Sequence, residues 1–324
     1  MPQVISLGEL LIDFVPTVSG VSLVDAPAFK KAPGGAPANV AAGLARLDVS
    51  CAFLGKVGDD AFGHFLKDTL DHEGVDTNGL LFSQEARTAL AFVSLREDGE
   101  REFMFYRHPS ADMLYSPADV DHGGIQQAQI FHFGSISLIS EPSRDATLAA
   151  LETAKSHGVM VSYDPNLRLA LWSDSNAAKT GMLSVWDQAD LIKISEEELF
   201  FLTGIVEIDD AVKQLWHQGL RMLIVTLGSA GCWYYTKDFH GYVPGFKVNA
   251  IDTTGAGDGF VAGLLSGLIH DRGAISDQTR LESVCRTANA VGALTTTQRG
   301  AIPALPSRHQ LDKFLESTGI DGKS

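Results

Sequence analysis

The sequence is poor in cysteine and in positive charge, and it has no long apolar run. Its three cysteines, Cys51, Cys232 and Cys285, are odd in number and far apart, with no CxxC pair to suggest a disulfide framework or a zinc site. A reducing compartment, the cytoplasm, is the expected location. Only 25 Lys and Arg oppose 40 Asp and Glu, a formal net charge of −15. A chain this acidic lacks the basic stripe that displaces phosphate counterions, and an anionic membrane surface repels it, so neither nucleic acid nor membrane is an expected partner. Nowhere do 18 apolar residues follow one another, and Met1 to Asp13 reads as a strand carrying Glu9 and Asp13. A membrane span and a signal peptide are therefore not expected. Internal repeats and low-complexity tracts are also missing.

What remains is a chain of 324 residues with 45% apolar and 20% charged side chains, enough to bury a large core. Apolar runs rich in β-branched residues alternate with segments of helical period, the pattern of an α/β fold whose mainly parallel sheet is covered on both faces. Strands are predicted at Val4 to Val15, Ser50 to Val57, Ala128 to Phe133, Val159 to Tyr163, Leu191 to Ile194 and Met222 to Thr226. Helices are predicted at Ala38 to Leu47, Ala61 to Glu73, Ser143 to His157, Asn176 to Trp186, Glu196 to Thr203 and Asp209 to Gln218. Three more follow at Gly257 to His270, Leu281 to Thr295 and Ser307 to Glu316. One region breaks the rhythm: Ala89 to Leu95 and Glu102 to Tyr106 read as a hairpin around Glu97-Asp98-Gly99-Glu100. With the strand-like Val21 to Lys30, this makes a second, small sheet. A small sheet with little core suits a lid over a site, although a plain surface hairpin fits the pattern equally.

Two glycine-rich stretches carry the chemistry. Ile251-Asp252-Thr253-Thr254-Gly255-Ala256-Gly257-Asp258-Gly259 runs into an apolar helix. Gly255, Ala256 and Gly257 let backbone N–H groups approach an anion at the positive end of that helix, and Asp258 falls in its first turn, placed as a base. An ordinary glycine turn with an acidic cap reads the same way locally. The second stretch, Ala32-Pro33-Gly34-Gly35-Ala36-Pro37-Ala38-Asn39, allows close approach to a hydroxyl-rich ligand, and the Asn39 amide both donates and accepts. It is equally a helix entry. Neither stretch fits GxxxxGK[ST] or GxGxxG.

Together these stretches resemble the paired signatures of the PfkB-type, ribokinase-like carbohydrate kinases. The resemblance runs from Ser6-Leu7-Gly8-Glu9 to Gly300-Ala301-Ile302-Pro303, nearly the whole chain. Gly8 to Pro16, Phe103-Met104-Phe105-Tyr106-Arg107 and Asp164-Pro165-Asn166-Leu167-Arg168 look like the fructokinases of plants and bacteria. The resemblance implies a single ribokinase-like domain over residues 1–324, a three-layer α/β/α sandwich with lid strands inserted at about 16–32 and 87–110. It also implies a homodimer through the lid.

Residue by residue, the resemblance makes Asp258 the base that takes a proton from the sugar's primary hydroxyl as it attacks the γ-phosphate of ATP. Gly255, Ala256 and Gly257 would hold the transferring group, and Arg168 would stand between sugar and phosphate; a surface ion pair is its bland alternative. Asp13, Gly34, Gly35 and Asn39 match sugar-binding positions, and Phe105 and Arg107 on the lid would touch the sugar. Lys193, Thr226, Gly228, Gly231 and Asn289 fall on the nucleotide side. Glu198 corresponds to an acid linked to Mg²⁺ through water, but Ser195 stands where the family has Asn, and a Ser195/Glu198 capping box explains the pair as well. Asp252 and Thr254 resemble donors of a K⁺ site. The implied reaction is phosphorylation of D-fructose by ATP with Mg²⁺. A 2-keto-3-deoxygluconate kinase is the enzymatic alternative and a catalytically dead sugar sensor the non-enzymatic one.

Overall fold

The computed structural model describes residues 1–18, 20–95 and 101–318. Its first part runs β1 (Val4–Leu7), β2 (Leu11–Pro16), β3 (Phe29–Gly34), α1 (Ala36–Arg46), β4 (Cys51–Gly58), α2 (Ala61–His72) and β5 (Leu80–Ser83). Then come β6 (Leu90–Leu95), β7 (Arg101–Tyr106), α3 (His122–Gln127), β8 (Ile130–Gly134), α4 (Ser143–Ser156), β9 (Met160–Asp164) and α5 (Ser175–Leu183). The last part is β10 (Leu191–Ser195), α6 (Glu196–Thr203), α7 (Ile208–Leu215), β11 (Met222–Thr226), β12 (Gly231–Thr236), β13 (His240–Pro244), α8 (Ala256–His270), α9 (Gln278–Thr295) and α10 (Arg308–Ser317).

Nine strands form one sheet in the order β13-β12-β11-β10-β9-β8-β1-β4-β5, parallel except where β12 and β13 turn back at one edge. Its central strands are apolar without alternation, as sheets covered on both faces require: β1 and β8 are buried along their whole length. On one face lie α1, α8 and α9. Gly259, Gly263 and Gly267 recur every fourth residue along α8, and a Cβ at Gly263 would stand 2.9 Å from the Cα of Ala288 on α9. This stripe lets the two helices touch backbone to backbone. Leu264, Leu265 and Leu268 of α8 are buried in the same layer, each worth about 1.5–3 kcal/mol of apolar burial. The chain runs outward through β4 and β5 on one side of β1 and through β8 to β11 on the other. The strand order therefore reverses between β1 and β8, the crevice where α/β sheets bind ligands at the carboxyl ends of their strands.

A second sheet, β3-β2-β6-β7, stands apart. Its register sets Asp13 opposite Ala91 and Ala91 opposite Phe105, so these three share a face. The sequence reading ran one strand from Val4 to Val15. The structure breaks it at Gly8–Leu10, and the two halves serve different sheets. The strand expected at Val21 to Lys30 is instead Phe29–Gly34, and β5, β12, β13 and α3 were not foreseen. The helix expected to reach Trp186 stops at Leu183 and is followed by a separate 3₁₀ turn at Trp186–Gln188. The hairpin turn at Glu97 to Glu100 and the frayed end expected at Gly319 to Ser324 lie outside the described residues. No helix among the described residues is long and apolar enough to cross a membrane.

Candidate active site

The Gly255–Asp258 turn is built from its own polar groups. The Asp252 carboxylate accepts from the Thr254 amide (2.9 Å) and hydroxyl (2.7 Å) through one oxygen, and from the Gly300 amide (2.9 Å) through the other. Gly255 caps α8 at φ 77°, and a Cβ there would lie 2.8 Å from that of Ala301, so no other residue fits without strain. The first amides of α8 lack partners within the helix and carry the positive end of its dipole.

Buried charge converges on that end. The Asp258 carboxylate accepts from the Asn39 side-chain amide at 2.7 Å. Burial pushes its pKa up, against the pull of Asn39, Arg168 and Lys193. Lys193 reaches up from β10 to a buried ion pair with Asp164 of β9 at 3.2 Å. Its Nζ stands 3.3 Å from where a Cβ on Gly257 would be, which puts an ammonium beside the first turn of α8. Burial works against that charge, but Asp164, Glu198 and Asp258 outweigh it and raise its pKa. Asp164 itself is pushed up to about 7 by burial, with Lys193 opposing. His132 lies in the same layer with Nδ1 3.0 Å from the Ser162 hydroxyl; burial and Lys193 hold it neutral, its pKa lowered to about 3.

The small sheet supplies the other wall. A Cβ at Gly34 would collide with the carboxylate of Asp13, so the missing side chain is the space that carboxylate occupies. Burial raises Asp13 to about 7; Arg168 opposes this, while Asp258 and Asp252 add to it. Asp13 of β2, Arg168 and the acids of the α8 turn are therefore within electrostatic reach of one another. Asn166, two residues before Arg168, adopts φ 47°, a costly conformation for a side-chain-bearing residue, and the following Leu167 amide donates to Glu198 at 2.6 Å. The Oδ1 of Asn39 is buried with no hydrogen-bond partner, an unsatisfied acceptor next to the Asn39–Asp258 bond. Phe105 packs on the cluster of Leu11, Ala89 and Ala91, on the Asp13 face.

Other expected residues have structural partners. Arg107 is buried, its guanidinium donating from Nε (3.0 Å) and Nη2 to Asp112, which also accepts from Ser110. Glu198 accepts from the Ser195 amide at 2.9 Å while Ser195 caps the Glu198 amide, so the capping box is present. Each Glu198 oxygen keeps a further lone pair for water. Asn289 donates to the carbonyls of Val243 and Pro244 and pins the end of β13. Thr226 ends β11, and Gly228 (φ 56°) and Gly231 (φ 119°) shape the loop after it; that loop packs on Gly245, whose amide donates to Ala230 at 2.8 Å. Asp164, Glu9, Asp112 and His132 were not singled out as site residues. Asp164 opens the Asp164-Pro165-Asn166-Leu167-Arg168 segment, and a histidine within an apolar strand is the local signal for His132.

The sequence profile described as pfkB family carbohydrate kinase matches residues 1–308. The chain belongs to this family. Within the pfkB family it is similar to the probable fructokinase-4 of Arabidopsis thaliana, 57% identical over 314 residues that cover 97% of this chain and 96% of the relative. Among solved structures it is similar to a fructokinase with bound ATP from Xylella fastidiosa, 34% identical with a TM-score of 0.90, over 98% of this chain and all of that one. It is also similar to a fructokinase double mutant from Vibrio cholerae bound to fructose, ADP and potassium ion, 39% identical with a TM-score of 0.88 over 97% and 98% of the two chains. The ribokinase-like layered architecture expected of a pfkB member is the one observed.

Proposed function

We propose that this pfkB-family protein is an ATP-dependent fructokinase, transferring the γ-phosphate of ATP to the 6-hydroxyl of D-fructose to give fructose 6-phosphate. The observation that carries this reading is the Asn39–Asp258 pair at the start of α8, in a chain 57% identical to a plant fructokinase. The ionised Asp258 takes the hydroxyl proton as the sugar oxygen attacks phosphorus and ADP leaves. Asn39 orients that carboxylate through its amide N–H, and its unpaired Oδ1 accepts from a sugar hydroxyl. Asp13, in the space left by Gly34, holds further hydroxyls, with Phe105 above them. The amides of Gly255, Ala256 and Gly257, with Lys193 and Arg168, offset charge on the transferring group. The nucleotide would lie over Thr226, Gly228 and Gly231, with Asn289 shaping its far wall.

Among the described residues no three His, Cys, Asp or Glu side chains gather to hold a metal. A divalent ion, which we take as Mg²⁺, would therefore enter on the phosphates of ATP, with Glu198 reaching it through water; it supplies charge neutralisation between those phosphates. The carboxylate and hydroxyl oxygens of Asp252 and Thr254 are hard donors suited to K⁺ beside the same turn.

A keto-acid substrate needs cations for its carboxylate, and Arg107 is already committed to Asp112. A neutral ketose therefore suits the site better. A panel of sugars and sugar acids assayed with ATP and Mg²⁺ tests this: fructose should give the highest kcat/KM. A higher value for 2-keto-3-deoxygluconate would overturn the substrate, and no turnover with any sugar would point to a sensor. The small sheet leaves Tyr106 57% and Met104 43% exposed, beside Phe92 stacked on Phe14 at 4.9 Å. This open face supports a homodimer through the lid, for which a single monomer mass by sedimentation would be the contrary result. A cytoplasmic location agrees with three buried free thiols.

A further inference from the structure

The chain crosses between its two sheets several times, and three of those crossings meet at one acid. Glu9 lies in the Gly8–Leu10 link by which the chain leaves β1 for β2. Its Oε1 accepts from the Ala36 amide at 2.8 Å, and Ala36 is the first residue of α1, where the chain returns. Gly35, at φ 111°, comes so close that a Cβ would strike the Glu9 carbonyl oxygen. Glu9 lines a small cavity together with Asp112, which is held in a buried pair by Arg107 at the exit of β7. Glu9 is itself 3% exposed. Three residues beyond Ala36, α1 carries Asn39, whose amide holds Asp258. An unbroken path therefore runs from Glu9 through the Ala36 amide and the first turn of α1 to the carboxylate at the start of α8.

We infer that Glu9 is a positioning residue: its carboxyl oxygen pins the first turn of α1, and so sets Asn39 and the Gly34–Gly35 turn in the geometry that receives the sugar. The part that matters is the acceptor rather than the charge. Burial raises Glu9 to about 7, with its own amide, Ala36 and Arg107 opposing, and a carboxyl group accepts from Ala36 in either protonation state. An amide at this position should therefore serve, and an apolar side chain of the same length should not.

This inference rests on the fructose reading, and two variants separate it from that reading. Glu9→Met fills the space without an acceptor; Glu9→Gln keeps one. In Glu9→Met the KM for fructose should rise about tenfold or more while the KM for ATP stays within about twofold, because only the sugar wall is misplaced. Exchange of the Ala36 amide, followed by NMR, should speed up in the same variant, and Glu9→Gln should return both quantities to within about threefold of wild type. A merely structural role would lower the melting temperature of both variants and leave fructose KM in the folded fraction unchanged, which overturns the inference. Equal impairment of Glu9→Gln and Glu9→Met overturns it too. Should Glu9→Met not fold, Glu9→Gln decides alone: near-wild-type fructose KM with Ala36 protected is expected, and loss of either is the contrary result. Failure of wild type to phosphorylate fructose would sink the functional reading instead, and the Ala36 exchange comparison would still test the placement of Glu9.

Discussion

The two sheets differ in what they do with polar groups and in how much core stands behind them. In the nine-stranded sheet Asp164, Lys193 and His132 are all buried in the layer under α8, each with a partner, between two extensive apolar clusters. Among the described residues the four-stranded sheet has a small cluster of its own, Leu11, Ala89 and Ala91 with Val93 and Phe105 packed against it, and reaches the large core through Ile12, Phe14 and Leu90, while its aromatic face of Phe14, Phe29, Phe92 and Tyr106 is half open. The charges we assign to the phosphoryl-transfer site sit where packing is thick and motion is costly. Asp13, which we assign to hold the sugar, sits on the sheet with little to unpack. The comparison supports our proposal that chemistry and gating are divided between a rigid part and a loose one.

The largest effect should come from the rigid part. Asp258→Asn should lower kcat by about 10²-fold or more with a smaller change in fructose affinity, since it removes the base and keeps the shape. Turnover close to wild type would take Asp258 out of its role. Next, Lys193→Met leaves Asp164 buried and unpaired, at a cost on the order of 3 kcal/mol in unfolding free energy. That cost should grow as pH rises, because burial already raises Asp164 to about 7 against the pull of Lys193, and without Lys193 the carboxyl is pushed higher still and sheds its charge in more acidic solution. Adding Asp164→Leu should restore the melting temperature and leave turnover impaired, which separates the stability of the pair from its work on phosphate. Recovery of both together would mean that Lys193 serves only the fold.

The loose part should respond to sugar. Saturating fructose should slow hydrogen exchange in Ala89–Leu95 and Arg101–Tyr106 about tenfold and leave β8 to β11 unchanged. Equal protection in both sheets would erase the division proposed here.

A smaller effect follows from Asp13, whose pKa rises to about 7 in the folded protein through burial. A raised carboxyl stabilises the fold fully below its unfolded value and loses that contribution as pH climbs through 7. Glu9 and Asp164, also raised to about 7, act with the same sign. Asp60, Asp71 and Asp119 are lowered by hydrogen bonds that outweigh their burial, so they lose stabilisation only in more acidic solution. The melting temperature of the ligand-free protein should therefore drop by about a few degrees between pH 5.5 and 8. Asp13→Asn should flatten that slope; an unchanged slope would show that the Asp13 carboxyl is solvated.

Much of this was legible in the sequence wherever the signal is local. Unbroken apolar runs marked β8 to β11, and small residues before an apolar run marked the start of α8. The breaks were less legible. Leu7 and Leu11 belong to one apolar stretch on paper, and only the Gly8–Leu10 link, with Glu9 facing Ala36, shows why the chain changes sheets there. The resemblance implies a lid Arg107 touching the sugar and an Asn289 on the nucleotide side. The structure gives the first to Asp112 and the second to the carbonyls of β13, because a buried guanidinium or amide takes whichever acceptor the packing leaves within reach.

The sequence by itself determined the α/β class, the two glycine turns and the acid after the second, since periodicity and turn chemistry act over a few residues. Only the tertiary structure decided that Asn39 holds Asp258 across 219 residues, that Lys193 answers Asp164 across 29, and that Glu9 meets the start of α1 across 27. A hydrogen bond between distant residues leaves no period in either segment, so it exists only once the sheets and helices have brought both ends to one place.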